Sequence, residues 1–412
     1  MLRLLEEGHS VHYNFTGKRG EGDSCLAGLV PEPTYSNNPK FDNYELSIFD
    51  LTGRAELAEK SAIDTPTIGD SELASELEED RLFGIQAMEQ SGIKVPPYEV
   101  FQSVDDARAF VSKTKKRYVF KPNGGQDQES ASTYVSSNYE DLLEYLSKLE
   151  EDTKGAEFLL QEFIGNGVEV STEAYFNGDD FYFVNATLEE KKFMNGNIGP
   201  ATGCVGNLVW AYAEKPKVFK QGLEKLGSFL YDHHYRGMVD LNTIVTDGEV
   251  YGLEWTPRFG YDASATLFAL IQQDAFGEFL YSIAAGEKPD ESCMYTGLFS
   301  ASVRISVPPY PYEEHGIQKK GIPLGGIEPE DVVTKMWLWD AMLEGGNLIT
   351  CGEGYGVVGA PIGIADTPSE AFDTVNKRIK ALKIPNLQYR TDLLKYTYDR
   401  YTRLDRMGWL RP

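Results

Sequence analysis

The stretch Leu241-Asn242-Thr243-Ile244-Val245-Thr246-Asp247-Gly248-Glu249-Val250-Tyr251-Gly252-Leu253-Glu254-Trp255-Thr256-Pro257-Arg258 decides how this chain is read. Two runs rich in β-branched and aromatic residues flank Asp247-Gly248, a dipeptide favoured where a tight turn needs positive φ, so the segment reads as a β-hairpin. Side chains alternate along a strand, so Asp240 or Asn242 on the first strand and Glu254 on the second can point to one face. Two facing oxygens suit a hard cation such as magnesium. Arg258, four residues beyond Glu254, carries the planar fork that can hold a phosphate by paired hydrogen bonds. A polar pair on a solvated sheet face would give the same local pattern, and at this point both readings stand open.

Around the hairpin the chain is a mixture of α/β and α+β patterns. Strands at 168–173 and 181–183 make the middle a mostly antiparallel unit. Ahead of it, Tyr118-Val119-Phe120-Lys121-Pro122 reads as a strand carrying a lysine, followed by a polar loop through Ser132. A helix with Leu142, Leu143, Leu146 and Leu149 on one side and a strand at 158–163 complete a β-loop-β-helix-β lid. A helix over 1–7 and strand signals at 11–13, 46–49 and 66–69 outline an N-terminal α/β lobe. The buried strand and Gly-rich turn that usually precede the first helix of such a lobe are missing from the sequence. One helix is expected over 76–91, stopped by Gly92 and Pro96-Pro97. Strands over 300–307, a Gly-rich stretch and a final helix over 369–382 form a C-terminal, strand-rich lobe. The expected divisions are 1–80 (N-terminal lobe), 81–116 (connecting helix and linker), 117–164 (lid), 165–292 (central unit) and 293–412 (C-terminal lobe).

Composition excludes several classes. The 412 residues exceed what one simple core serves. A net charge of −25 repels a nucleic-acid backbone unless basic residues are segregated, and the densest basic run, Lys113 to Arg117, reads as a solvated turn. No apolar run approaches the roughly 20 residues of a membrane span, and Glu6 and Glu7 spoil a signal-peptide reading of the start. Cys25, Cys204, Cys293 and Cys351 are scattered singly, without the close pairs of zinc sites or disulfide frameworks, which suits a reducing compartment. The expectation is a cytoplasmic monomer or homodimer with neither nucleic-acid nor membrane partners.

Four segments in order carry a resemblance: Gly167-Val168-Glu169-Val170-Ser171, Gly199-Pro200-Ala201-Thr202-Gly203-Cys204-Val205-Gly206, Glu254-Trp255-Thr256-Pro257-Arg258-Phe259-Gly260 and Gln388-Tyr389-Arg390-Thr391-Asp392. Together they resemble the motifs of phosphoribosylamine-glycine ligase, a family of the ATP-grasp superfamily, over roughly residues 40 to 395. The resemblance implies an ATP-grasp fold, in which ATP lies between the lid and the central sheet. It further implies that Arg81 (a lysine in the family) and Lys121 contact the ATP phosphates. Glu162, with the backbone of Phe163 and Ile164, would hold adenine, and Glu169 the ribose hydroxyls. Lys191 and Lys192 match a Lys-Arg pair and, with Arg258, would act on the reacting phosphate. Asp240, Glu254 and Thr256 would hold magnesium, or manganese in its place. The implied chemistry joins a small acid to a small amine, glycine and phosphoribosylamine or analogues, through an acyl phosphate, and so requires no nucleophilic side chain.

Three departures from the family pattern bear on substrate and competence. Thr256 replaces a metal-binding asparagine and is a poorer oxygen donor. The loop Gln126 to Ser132 lacks the family's lysine and carries two acids. Tyr261-Asp262-Ala263 stands where the family has Asp-Pro-Glu. They keep two alternatives in view: a ligase joining an amino acid to a different amine, and a nucleotide-binding relative without turnover.

Overall fold

The computed structural model describes residues 1–15, 24–123, 133–149, 157–260, 262–312, 320–352 and 356–412. The polar loop through Ser132 and Tyr261, both singled out in the sequence, lie outside them.

At the centre is an antiparallel sheet, nine-stranded among the described residues. Its first strands are β1 (Val168–Phe176), β2 (Phe181–Met194), β3 (Ile198–Ala211), β4 (Gly237–Val245) and β5 (Val250–Thr256). They are followed by β6 (Phe299–Val303) and β7 (Val357–Ala365), and the spatial order is β5-β4-β1-β2-β3-β6-β7, with Ile305–Ser306 and Met336–Leu338 also pairing to β7. The strands of the C-terminal lobe thus continue the central sheet without a break.

Period-two alternation sorts the side chains of this sheet into opposed layers. Trp255, Leu241, Thr172 and Ala186 are successive cross-strand partners, each at most 3% exposed, and they form one apolar row. The rows on either side of it along the strands point to the other face and are polar. Glu254, Asn242, Ser171 and Thr187 form one, and Thr256, Asp240, Glu173 and Asn185 the other.

The apolar layer is covered near the sheet edge by α1 (Glu72–Glu79) and α2 (Arg81–Gln90), through Leu73, Leu77, Ala87 and Met88. The sequence suggested one helix over 76–91, but the chain breaks at Asp80 (φ −94°, ψ 94°). The Asp80 carboxylate accepts the N–H groups of Leu82 and Phe83, and such a cap competes with continuing the helix. Gly84 lets α2 lie against β5. A Cβ at that position would come within 2.9 Å of the Trp255 ring and 2.7 Å of the Leu77 carbonyl. The Trp255 indole N–H instead donates to the Gly84 carbonyl at 2.8 Å.

The small lid sheet has the order Tyr98–Phe101, Phe158–Glu162, Tyr118–Pro122, Tyr134–Val135, with helices Val104–Thr114 and Tyr139–Lys148 packed on it. It shows the β-loop-β-helix-β order expected and includes Tyr98–Phe101, which lies ahead of residue 117. Near the N-terminus the strand expected at 11–13 falls instead at Asn14–Phe15, and Ser47–Ile48 pairs in parallel with Thr67–Ile68.

The helix over 369–382 is present as Pro368–Ala381 but is not the final one. A further helix, α3 (Leu393–Arg406), packs on the sheet through Leu393 and Leu404, beside the fully buried Trp409. Its apolar stripe is sparse, and tyrosines and charges dominate the segment, so the helical period is hard to read from composition.

Candidate functional site

The site lies on the polar rows, at the edge formed by β5 and the lid. Register decides which side chains meet. Asn242 lies directly across from Glu254, and Asp240 across from Thr256, so all four share one face and either of the sequence candidates on β4 is in range of Glu254.

The helix break at Asp80 brings cations around this edge. Arg81, the first residue of α2, donates from Nη1 to Glu254 Oε2 at 3.0 Å and from Nε to the Pro122 carbonyl of the lid at 3.1 Å. Glu78, in the last turn of α1, pairs with Arg258 at 2.7 Å. Glu78, Arg81, Glu254, Thr256 and Arg258 are among the residues walling a cavity of about 270 Å³ between the α1–α2 corner and β5. From the lid, Lys121 reaches the Leu253 carbonyl at 3.2 Å and is only 5% exposed. Burial drives its pKa down to about 8, although Glu254 pulls the other way.

Glu254 is itself shifted downward. Burial opposes its ionisation, but Lys121, Arg81 and Lys191 together outweigh that effect. Lys191 donates to Glu169 at 2.6 Å; burial disfavours its charge, yet Glu169, Glu189 and Glu254 more than compensate and its pKa rises. The carboxylates deeper in the polar rows behave differently. Burial raises Glu189 to about 7, and it raises Asp240 well above the carboxylate range, with Glu173, Glu189 and Glu254 adding repulsion. Glu173 is raised by burial as well, although Thr187 donates to its Oε1 at 2.7 Å. Glu173 Oε2 and Asp240 Oδ1 are buried with no hydrogen-bond partner among the described residues. Orphaned buried oxygens of this kind are what a bound cation would satisfy.

The remaining sequence candidates are placed as follows. Glu162 ends its lid strand and pairs with Lys116 at 2.8 Å. The Phe163 N–H is used by the Arg117 carbonyl, and the Arg117 guanidinium stacks 3.4 Å from the Phe163 ring centroid. Lys192 is exposed, and its carbonyl accepts from Arg390 at 2.7 Å. Arg390, 1% exposed, also pairs with Asp392, so the segment Gln388 to Asp392 clamps the β2–β3 hairpin.

Sequence reasoning passed over Glu78, Glu173, Glu189 and the pair Asp262–Arg304. Glu173 could have been found by continuing the alternation from Glu169 through Ser171. Arg304 donates from Nε to Asp262 at 3.0 Å, from Nη2 to its other oxygen, and from Nη1 to the Thr202 carbonyl at 2.9 Å. No local pattern could join residues 42 apart on different elements.

The chain is similar to several known proteins. The profile of the phosphoribosylglycinamide synthetase ATP-grasp (A) domain matches residues 79–262. Phosphoribosylamine–glycine ligase of Streptococcus pneumoniae is 26% identical over 340 residues, covering 79% of this chain and 77% of that one. The crystal structure of phosphoribosylamine–glycine ligase from Thermotoga maritima superposes with a TM-score of 0.71 at 22% identity, over 95% of this chain and 96% of that one. N5-carboxyaminoimidazole ribonucleotide synthetase, solved as an ADP complex, gives 0.51 at 15% identity, over 79% of this chain and 76% of that one.

Proposed function

We infer that this protein, which resembles phosphoribosylamine–glycine ligase and matches an ATP-grasp domain profile over residues 79–262, is an ATP-dependent ligase that joins a carboxylate to an amine. Glycine and phosphoribosylamine, or close analogues, are the acid and amine of this reading, and the cytoplasm is its setting. One observation carries it: Arg81 donates to the Glu254 carboxylate, and Lys121 and Lys191, from two further elements, add their charge to its field. A cluster of cations facing a carboxylate row is the arrangement that brings together an anionic acid and a triphosphate.

The chemistry has two steps. A substrate carboxylate oxygen attacks the γ-phosphorus and ADP leaves, giving an acyl phosphate. The amine nitrogen then attacks the acyl carbon, phosphate leaves, and the nitrogen loses a proton. In this reading Arg81 and Lys121 bind the phosphates, while Glu162 and the backbone of Phe163 and Ile164 orient the adenine. Glu169 takes the ribose hydroxyls and hands Lys191 its position. Lys191, Lys192 and Arg258 neutralise charge on the reacting groups, and the lid keeps water from the acyl phosphate. Glu254, Asp240 and Thr256, with Asn242 opposite Glu254, would hold magnesium or manganese, which would supply further neutralisation of the phosphates. The unpartnered Asp240 Oδ1 supports the fit.

A second reading, the joining of an amino acid to a different small amine, is supported by Asp262. The family's two acids fall at Tyr261 and Ala263 in this chain, and the one carboxylate between them, Asp262, is engaged at both oxygens by Arg304. ADP release measured over a panel of acids and amines tests both readings. Turnover with glycine and phosphoribosylamine, and growth of a purine auxotroph lacking that ligase, supports the first. Turnover only with another amine supports the second, and ATP binding without turnover on any pair would sink both.

A further inference from the structure

Apart from the residues of the ATP-grasp cleft, three chain segments deliver metal-ligating side chains to one point. Cys25, Asp340 and Cys351 place a ligand atom each within 4.8 Å of one another. The two sulfurs are 2.9 Å apart. We propose that Cys25, Asp340 and Cys351 form a binding site for a thiophilic divalent cation, zinc by its donor set, which fastens the N-terminal segment to the C-terminal strands.

The site is built, and each of its walls is fixed by the backbone. Asp340 Oδ2 accepts the N–H groups of Gly356 at 2.8 Å and Val357 at 3.0 Å, which aims the carboxylate. Cys351 is 1% exposed, and its N–H donates to the Asp340 carbonyl. Residues 24–30 carry only isolated bridges among the described residues, yet they dock on the strand Ala341–Glu344. The Leu26 N–H donates to the Ala341 carbonyl, the Leu343 N–H donates to the Ala27 carbonyl, and the Ser24 hydroxyl donates to the Cys351 carbonyl.

Chemistry chooses the occupant. Two thiolates select zinc and similar cations over magnesium or calcium, and a carboxylate completes three of four tetrahedral positions, leaving one for water. On such an ion, with Zn–S about 2.3 Å, the sulfurs would sit about 3.7 Å apart, a side-chain adjustment of under roughly 1 Å.

Cobalt substitution tests the site on the full chain, reduced and stripped of metal. The expected result is one cobalt per chain, with a thiolate-to-cobalt charge-transfer band that zinc displaces. The band should persist in Cys204→Ser/Cys293→Ser and vanish in Cys25→Ser. Asp340→Asn should weaken the metal by roughly 10–100-fold. Cys25 is only half-buried, so its serine variant is the one least disturbed in fold, and a cooperative thermal melt verifies this. No band in the reduced wild type, or a band that survives Cys25→Ser, overturns the proposal. So does a Cys25–Cys351 disulfide found by mass spectrometry in a chain that takes up no cobalt or zinc. None of these readouts depends on ligase turnover.

Discussion

Adjacent rows of the same four strands have opposite energetics. The row Trp255, Leu241, Thr172 and Ala186 is buried, its Trp255–Leu241 end packed with α1 and α2, while the rows flanking it gather Glu254, Asp240 and Glu173. All three rows lie on the same antiparallel strands, and one residue step along them reverses the face to which the side chains point. The apolar row stabilises by burial. The polar rows hold Asp240 and Glu173 away from bulk water, which opposes folding unless a cation or a proton offsets the charge. The lesson is that stability and chemistry are separated here by a single residue step along a strand.

If that separation is real, substitutions one residue apart should split activity from stability. Glu254→Gln removes the carboxylate that pairs with Arg81 and should lower kcat by about 1,000-fold, or about 4 kcal/mol in the barrier, while the protein still melts cooperatively. Wild-type turnover in that variant would break the comparison at once. Its neighbour, Trp255→Ala, should cost about 3–5 kcal/mol in a urea unfolding curve yet change the turnover of the folded fraction much less. A variant that stays as stable as the parent would show that the apolar row does not hold the edge strand in place.

Arg81→Met sharpens the contrast at the boundary between the layers, because Arg81 belongs to a helix covering the apolar row but reaches the polar one. Its expected effect is a rise in KM for ATP of roughly 10–100-fold, matching the loss of charge-assisted hydrogen bonds. A change confined to stability would assign it to the apolar layer.

The smallest effect concerns pH. Lys121 titrates at about 8, so its cation is present below that pH and lost above it. The kcat/KM for ATP, which reports groups of the free enzyme, should fall about tenfold per pH unit above 8. Lys121→Arg should flatten that limb. Stability should move the other way. Between about 8 and 10.5 the unfolded chain retains the proton that the native state has released, so unfolding binds a proton and native stability rises across the window. A kcat/KM that stays level through pH 9.5 would remove Lys121 from phosphate binding.

Local patterns made the sheet legible. The Asp247-Gly248 turn, the strands on either side of it and the lid order all follow from turn chemistry and period-two alternation, which act between near neighbours. The pairing of Glu254 with the oxygens of β4 was legible up to one ambiguity, since Asp240 and Asn242 lie on the same face two residues apart. The register places Asn242 opposite Glu254. The break at Asp80 could also have been read from its capping side chain, but an unbroken apolar pattern over 76–91 outweighed that single polar signal.

What the sequence determined by itself is the alternation, the turns and the ordered motifs, because each depends on residues close along the chain. Only the tertiary structure decided that Glu78 and Arg81 reach around the sheet edge, that Asp262 belongs to Arg304, and that Cys25 meets Cys351. The four cysteines looked solitary in the sequence, and two of them are 326 residues apart yet touch. Such meetings are set by packing of distant elements, whose closure entropy grows only slowly with separation and leaves no periodic trace in the chain.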